Sequence, residues 1–280
     1  MTGSKDVRLQ AAQFYEAALK TAEASSCAAA APNAFAAAAG YTQADLGGMP
    51  DDAALNSFGC GNPMAFAQVS PGQTVVDLGS GAGIDLLIAA RAVGEAGRVI
   101  GIDLSEVMLA RARENVSRAG LGNVEPRQGA IEQLPVETGC ADWVISNCVI
   151  NLSPDKRAVF REIHRVLKPG GRVLVSDIVA DGLPGWFRDD PNLRAACLSG
   201  ALPEHDYLAA ARAGGLVGVE IIDWFAYDDE QVSALVSAML PASLDTISAT
   251  PGQREDVVQK VVAAAHGRVA SVRVAARRPI

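Results

Sequence analysis

The stretch VVDLGSGAG, residues 75–83, constrains the fold more than any other part of the chain. A short apolar run stops at an acid, three glycines follow at alternate positions, and a helix-forming run, IDLLIAARAV, begins at once. Apolar runs of this length bounded by glycine read as buried strands. The alternation then repeats. RVIGID (98–103) reads as a second strand, and SEVMLARARENVSRAG (105–120) as a helix with Ser105 at its N-cap and Met108, Leu109, Ala112 and Val116 on one face. NVEPRQG (123–129) and ADWVISN (141–147) read as the third and fourth strands. SPDKRAVFREIHRVLKPGG (153–171) reads as a helix capped by Ser153, with Pro154 in its first turn and Gly170 past its end. RVLVSDIV (172–179) is the fifth strand. Regular strand–helix alternation calls for a mostly parallel sheet covered by helices on both faces.

The flanks follow other patterns. Residues 6–70 are rich in alanine and read as a helical segment with a joint at Pro32. After residue 203 come a helix near 207–213, a strand GVEIIDWFAY (218–227), roughly 40 residues of helical character and a closing strand VASVRVAARRP (269–279). The sixth and seventh strands are expected to pair antiparallel at one edge, with the helical stretch inserted between them. The expected organisation is a helical N-terminal segment (1–70), a central α/β unit (71–225) and a C-terminal helical region with a final strand (226–280).

Gly79, Gly81 and Gly83 let the backbone turn tightly and approach a ligand without side-chain clash. GxGxG is a weak motif alone, since a tight turn also needs small residues. Two acids strengthen it. Asp77 precedes the first glycine by two positions, and Asp103 ends the second strand, where an acid meets a ribose diol in Rossmann-like folds. Asp85 occupies the helix start, which repels a phosphate and suits a ligand without one.

The net charge of −8 and a pI of about 5 argue against a nucleic-acid partner, because phosphate contacts need a basic patch. No apolar run approaches the roughly 18 residues of a membrane span, and the polar start MTGSKDVRLQ does not read as a signal peptide. Cys27, Cys60, Cys140, Cys148 and Cys197 are odd in number and widely spaced, which reads as thiols in a reducing cytoplasm rather than a disulfide or zinc framework. A cysteine is ordinarily a small buried hydrophobe, and Cys148 or Cys197 taken alone reads that way. Cys60 has glycines on both sides and little to pack against, and Cys140 in VETGCADW reads as incidental. Cys148, however, ends the fourth strand, on the side of an open α/β sheet where ligands bind. Three thiols from separate segments converging there would suit a soft trivalent centre.

The loop DLGSGAG with Asp103 resembles the class I S-adenosylmethionine-dependent methyltransferases over about residues 70–225. That resemblance implies a Rossmann-like, mostly parallel seven-stranded sheet with helices on both faces, S-adenosylmethionine as cofactor and S-adenosylhomocysteine as product. It implies cofactor contacts from Asp77, Gly79, Ser80, Gly81, Gly83, Asp103, Leu104 and Met108, and from Ala130, Ile131 and Glu132 of GAIEQLP. FGCGNP, SNCVINLSPDK and CLSGAL, together with the glycine loop, look like the arsenite S-adenosylmethionine methyltransferases over nearly the whole chain. By that resemblance Cys60, Cys148 and Cys197 hold As(III), and Cys27 is a fourth cysteine able to pair with Cys60 when arsenic is oxidised. Asn147 binds the cofactor, and thioredoxin or glutathione resets the thiols. Phe58 stands where the family usually has tyrosine, which removes a hydroxyl but not a ring against the cofactor. The implied protein is a cytoplasmic monomer that takes a small arsenical and neither nucleic acid nor membrane. Two other readings stay open: a methyltransferase for an organoarsenical or an organic carbon or oxygen acceptor, and a non-catalytic thiol protein that binds metalloid. The long segment 228–266 has no readable chemistry.

Overall fold

The computed structural model describes residues 12, 16, 36, 39–55, 59–188, 197–239 and 251–280. The short helices α1 (Gln43–Leu46) and α2 (Asp51–Leu55) precede the sheet. The alternation then runs β1 (Thr74–Leu78), α3 (Ile84–Val93), β2 (Arg98–Asp103), α4 (Glu106–Arg118), β3 (Val124–Gln128), β4 (Ala141–Asn147), α5 (Lys156–Val166) and β5 (Leu167–Ala180). After α6 (Gly185–Arg188) and α7 (Glu204–Ala213) come β6 (Val217–Ala226), α8 (Asp229–Met239), α9 (Pro251–Ala265) and β7 (Val269–Arg277).

The seven strands form one sheet in the order β3-β2-β1-β4-β5-β7-β6. β1 to β5 are parallel, and β7 runs antiparallel between β5 and β6. The chain therefore steps outward from β1 to β3 and returns to β4, so that β1 and β4 lie side by side and their following loops part in opposite directions. That switch point opens a crevice at the strands' carboxyl ends. Its walls are rigid: Val75, Val76, Leu78, Ile100, Ile102, Val144 and Ile145 have no exposed surface. No described helix is long and apolar enough to cross a membrane.

The sequence places these elements well, with one boundary shifted at each end of α5. Asp155, not Ser153, caps it: the Asp155 carboxylate accepts from the Ala158 N–H at 2.9 Å. Ser153 precedes a proline and is therefore extended. Its hydroxyl donates to Glu132 at 2.6 Å. The helix stops at Val166 because Lys168 precedes Pro169, and Gly170 already belongs to β5. Asp155→Ala should lose roughly 1 kcal/mol, a fall of about 2–4 °C in Tm for a chain of this size, read by thermal melting. If Ser153→Ala gives the cap-sized loss and Asp155→Ala gives none, the assignment is wrong.

The helices α8 and α9 do more than fill space. Val232, Val236, Val258 and Val261 share one apolar cluster with Phe187, Leu198, Cys148 and Cys197, and Cys60 packs against its edge. The segment without readable chemistry thus roofs the end of β4.

Candidate active site

The crevice between β1 and β4 is a cleft of about 1030 Å³, counting space open to solvent. Gly79, Gly81 and Gly83 all have left-handed backbones, with φ of 71°, 52° and 99°. A Cβ on Gly79 would lie 2.6 Å from Val149, so the β1 and β4 loops meet there only through a glycine. The Gly81 N–H donates to Asp103 Oδ2, and the Ser105 N–H to Oδ1, each at 2.9 Å. Asp103 is thereby fixed at the cleft wall with lone pairs to spare for a ligand's hydroxyls.

Two buried carboxylates, Asp77 and Asp85, and the partly buried Asp103 give the cleft its electrostatics. Burial, then the charges of Asp85 and Asp103, push Asp77 well above the usual carboxylate range. Its Oδ2 has no hydrogen-bond partner among the described residues. Burial raises Asp85 to about 6, against the hydrogen bonds from Tyr41 and Asn147. The Tyr41 hydroxyl sits 2.9 Å from both Asp85 oxygens. Burial likewise raises Asp103, against its backbone N–H donors. Like charges crowded in a low-dielectric cleft are relieved by a cationic ligand and aggravated by an anionic one.

Of the residues expected to hold a cofactor, Gly79, Ser80, Gly81, Asp103, Leu104, Met108, Ala130, Ile131, Glu132 and Asn147 line this cleft. Gly83 instead caps α3 and packs against Ala112, and Asp77 lies beneath the loop rather than on the wall. Phe58 and Cys27 lie outside the described residues. Asn147 has a task the sequence did not show: its amide donates to the Gly61 carbonyl at 2.6 Å and accepts from the Gly61 N–H at 3.2 Å. It also donates to the Tyr41 hydroxyl at 3.0 Å, clamping the loop that carries Cys60 against the end of β4.

The cysteines gather where that clamp closes. Cys60 and Cys148, 88 residues apart, are joined by a disulfide with Cα atoms 5.7 Å apart. The resemblance implied a pair between Cys27 and Cys60; here Cys60 is bonded to Cys148. The Cys197 thiol donates to the Cys148 carbonyl at 2.8 Å. Cys148 (φ 64°) and Cys197 (φ 60°) are the only non-glycine residues with positive φ among the described residues. A left-handed backbone at a side-chain-bearing residue costs about 1–2 kcal/mol, and such strain clusters at functional sites. Two of the three convergent cysteines bearing it is hard to reconcile with core packing alone. Cys140 takes no part and packs partly buried elsewhere.

One site residue escaped sequence reading. Asp177 in β5 has no exposed surface, and its carboxylate lies within 4.8 Å of the Cys60 and Cys148 sulfurs. The Tyr207 hydroxyl and the Ile178 N–H donate to it at 2.9 and 3.0 Å. Burial raises it to about 6, against the charge of Lys156 and the Tyr207 bond. The only trace in the sequence was a lone acid inside an apolar strand, which calls for a compensating partner.

The family model described as a methyltransferase domain matches residues 69–229. An arsenite methyltransferase from Halobacterium salinarum is 44% identical over 220 residues, 74% of this chain and 56% of that protein. One from Aquipseudomonas alcaligenes is 39% identical over 190 residues, 65% of this chain and 53% of that one. The chain thus spans about half the length of these curated relatives. The crystal structure of an arsenic(III) S-adenosylmethionine methyltransferase from Chlamydomonas reinhardtii superposes with a TM-score of 0.64 at 32% identity, covering 85% of this chain and 73% of that one. The glycine loop, the switch-point cleft and the gathered cysteines agree with these matches, and the chain belongs to the S-adenosylmethionine-dependent methyltransferases, in the arsenite methyltransferase family.

Proposed function

We propose that this protein transfers a methyl group from S-adenosylmethionine to trivalent arsenic held by Cys60, Cys148 and Cys197. The observation that carries this reading is the meeting of three cysteines from three segments at the end of β4, two of them on strained backbone, beside the cleft. When bound, S-adenosylmethionine supplies a methyl on a cationic sulfonium, an electrophile that needs no proton transfer. The cleft fits it: its acids favour a cation, the orphaned Ser80 hydroxyl on its wall awaits a partner, and Asp103 can accept from a ribose diol. Ala130, Ile131 and Met108 offer an apolar wall for the adenine.

The thiolates fix the arsenic, whose lone pair carries no proton, so these residues need no general base. Positioning of the two reactants is then the main contribution, worth roughly 7–11 kcal/mol where it is complete. α8 and α9 cover the sulfurs on one side with apolar side chains. Methylation leaves arsenic pentavalent. Two thiolates return it to the trivalent state by giving up two electrons and forming a disulfide, which a cellular thiol system such as thioredoxin or glutathione then reduces. The Cys60–Cys148 bond is one such oxidised pair. Residues 71–225 bind the cofactor in this reading, 226–280 complete the sheet and roof the site, and the protein works as a cytoplasmic monomer.

A monosubstituted organoarsenical is a second acceptor. It has two valences for thiolates, the Cys60 and Cys148 sulfurs meet directly, and apolar side chains adjoin them.

The test is product analysis by mass spectrometry after incubation with S-adenosylmethionine and arsenite. Methylated arsenic is expected with a thiol reductant, and none without it, because the disulfide withholds two of the three ligands. If neither arsenite nor methylarsenite yields product while the cofactor binds, the acceptor is another compound.

A further inference from the structure

Asp177 is a buried carboxylate that the reading above does not use. Its ligand oxygen and the Cys60 and Cys148 sulfurs all lie within 4.8 Å of one another. Tyr207 and the N–H groups of Ile178 and Asn151 occupy part of its hydrogen-bonding capacity, but an ionised carboxylate has about four lone-pair sites. Reduction of the disulfide would leave two thiols and one carboxylate converging from three segments, largely shut off from bulk water. Soft sulfur with one hard oxygen suits a d¹⁰ divalent cation.

We propose that the reduced Cys60–Cys148 pair and Asp177 form a binding site for a divalent thiophilic cation of the zinc and cadmium class. Zinc–sulfur bonds of about 2.3 Å and zinc–oxygen bonds of about 2.0–2.2 Å place the donors of a tetrahedral ion roughly 3.5 Å apart. On reduction the bonded sulfurs separate to that spacing, and the Asp177 carboxylate oxygen, within 4.8 Å of them, approaches by about 1 Å, within side-chain rotation. Each thiol releases a proton as it binds, and no electron changes hands. Two thiolates and a carboxylate around a divalent ion carry one surplus negative charge, and Lys156, whose charge already acts on Asp177, offsets it. The fourth position is left for water or a small ligand, because Cys148 borders the open cleft. Cys197 stays outside the set, its thiol turned onto the Cys148 carbonyl. A bound cation would exclude arsenic from the same sulfurs and would hold them out of the disulfide.

The test reads metal binding and not methyl transfer, so it stands whether or not arsenic is the acceptor. Protein reduced with a phosphine is titrated with Co²⁺, whose sulfur-to-metal absorption reports thiolate ligands, and with Zn²⁺ in a calorimeter. One equivalent is expected, with proton release, and none for protein oxidised to the disulfide. Asp177→Asn should weaken binding by at least the about 10–100-fold that even an outer partner of a metal ligand costs. Cys197→Ser should bind as wild type does. Tyr207→Phe removes the same hydrogen bond that Asp177→Asn disturbs but keeps the carboxylate, and should retain affinity. Absence of a thiolate band, wild-type affinity in Asp177→Asn, loss of binding in Cys197→Ser, or equal losses in Asp177→Asn and Tyr207→Phe would each overturn the proposal.

Discussion

Cys148→Ser should abolish methyl transfer to arsenic, by at least about 10³-fold, a part of what positioning of two reactants can supply, while S-adenosylmethionine still binds. Serine matches cysteine in shape and inherits the same left-handed backbone, so the substitution adds no strain beyond that already present. It removes the one atom that bonds to a soft trivalent centre. The Gly79–Gly81 loop, Asp103 and the Ala130–Ile131 wall do not depend on that sulfur, and cofactor titration should show affinity unchanged. Cys60→Ser should behave alike, and Cys140→Ser, remote from the cleft, should retain full rate. Cys148→Gly separates strain from chemistry: glycine adopts φ near 64° freely, relieving about 1–2 kcal/mol against the loss of one small buried side chain. It should fold and bind cofactor with no arsenic methylation. An organic carbon or oxygen acceptor would make the opposite prediction, namely that Cys60→Ser and Cys148→Ser retain most of the rate.

What the sequence made legible divides along physical lines. The alternation from Thr74 to Ala180 and the antiparallel β6–β7 edge follow from local patterns, strand runs against helical ones, and those patterns survive into the structure. The glycine loop and Asp103 were legible because one short turn carries both the backbone freedom and the acid's spacing. Convergence of Cys60, Cys148 and Cys197 could be raised from the place of Cys148 at a strand end and was named by the family resemblance, but nothing local says that loops 88 residues apart will touch. The second tier was not legible for the same reason. Asp85 meets Tyr41 across 44 residues, Asp177 meets Tyr207 across 30, and Asn147 meets Gly61 across 86. Each is an ordinary polar residue until the fold buries it, and then its partner becomes obligatory. The caps of α5 were misplaced by a different cause: Ser153, Pro154 and Asp155 offer two capping side chains, and only the restriction that proline puts on Ser153 decides between them.

Cofactor affinity should fall as pH drops through about 6, and Asp85→Asn should remove most of that dependence. Asp85 lines the cleft with no charged donor among its hydrogen-bond partners; Tyr41 and Asn147 hold it. Burial destabilises its ionised form, whereas a cationic cofactor stabilises it, so binding selects the carboxylate and opposes its protonation. Below the apo value each pH unit should then weaken binding by up to tenfold, and above it the affinity should level off. The stability of the apo protein moves the other way. A carboxyl whose folded-state pKa is raised contributes stability that is complete below its unfolded value and is lost as pH rises through about 6. The same group thus favours the empty fold in acid and the loaded fold at neutral pH. Asp85→Asn should be more heat-stable than wild type at pH 8 without cofactor. It should bind S-adenosylmethionine about 10–100-fold more weakly there, the worth of one hydrogen bond to a charged group. Tyr41→Phe removes the donor that holds the charged form down and should shift the midpoint upward. Calorimetric titration of S-adenosylmethionine from pH 5 to pH 8 reads all three proteins. A flat wild-type curve would mean that the cofactor's positive charges lie away from Asp85, and that this acid serves the fold through Tyr41 alone.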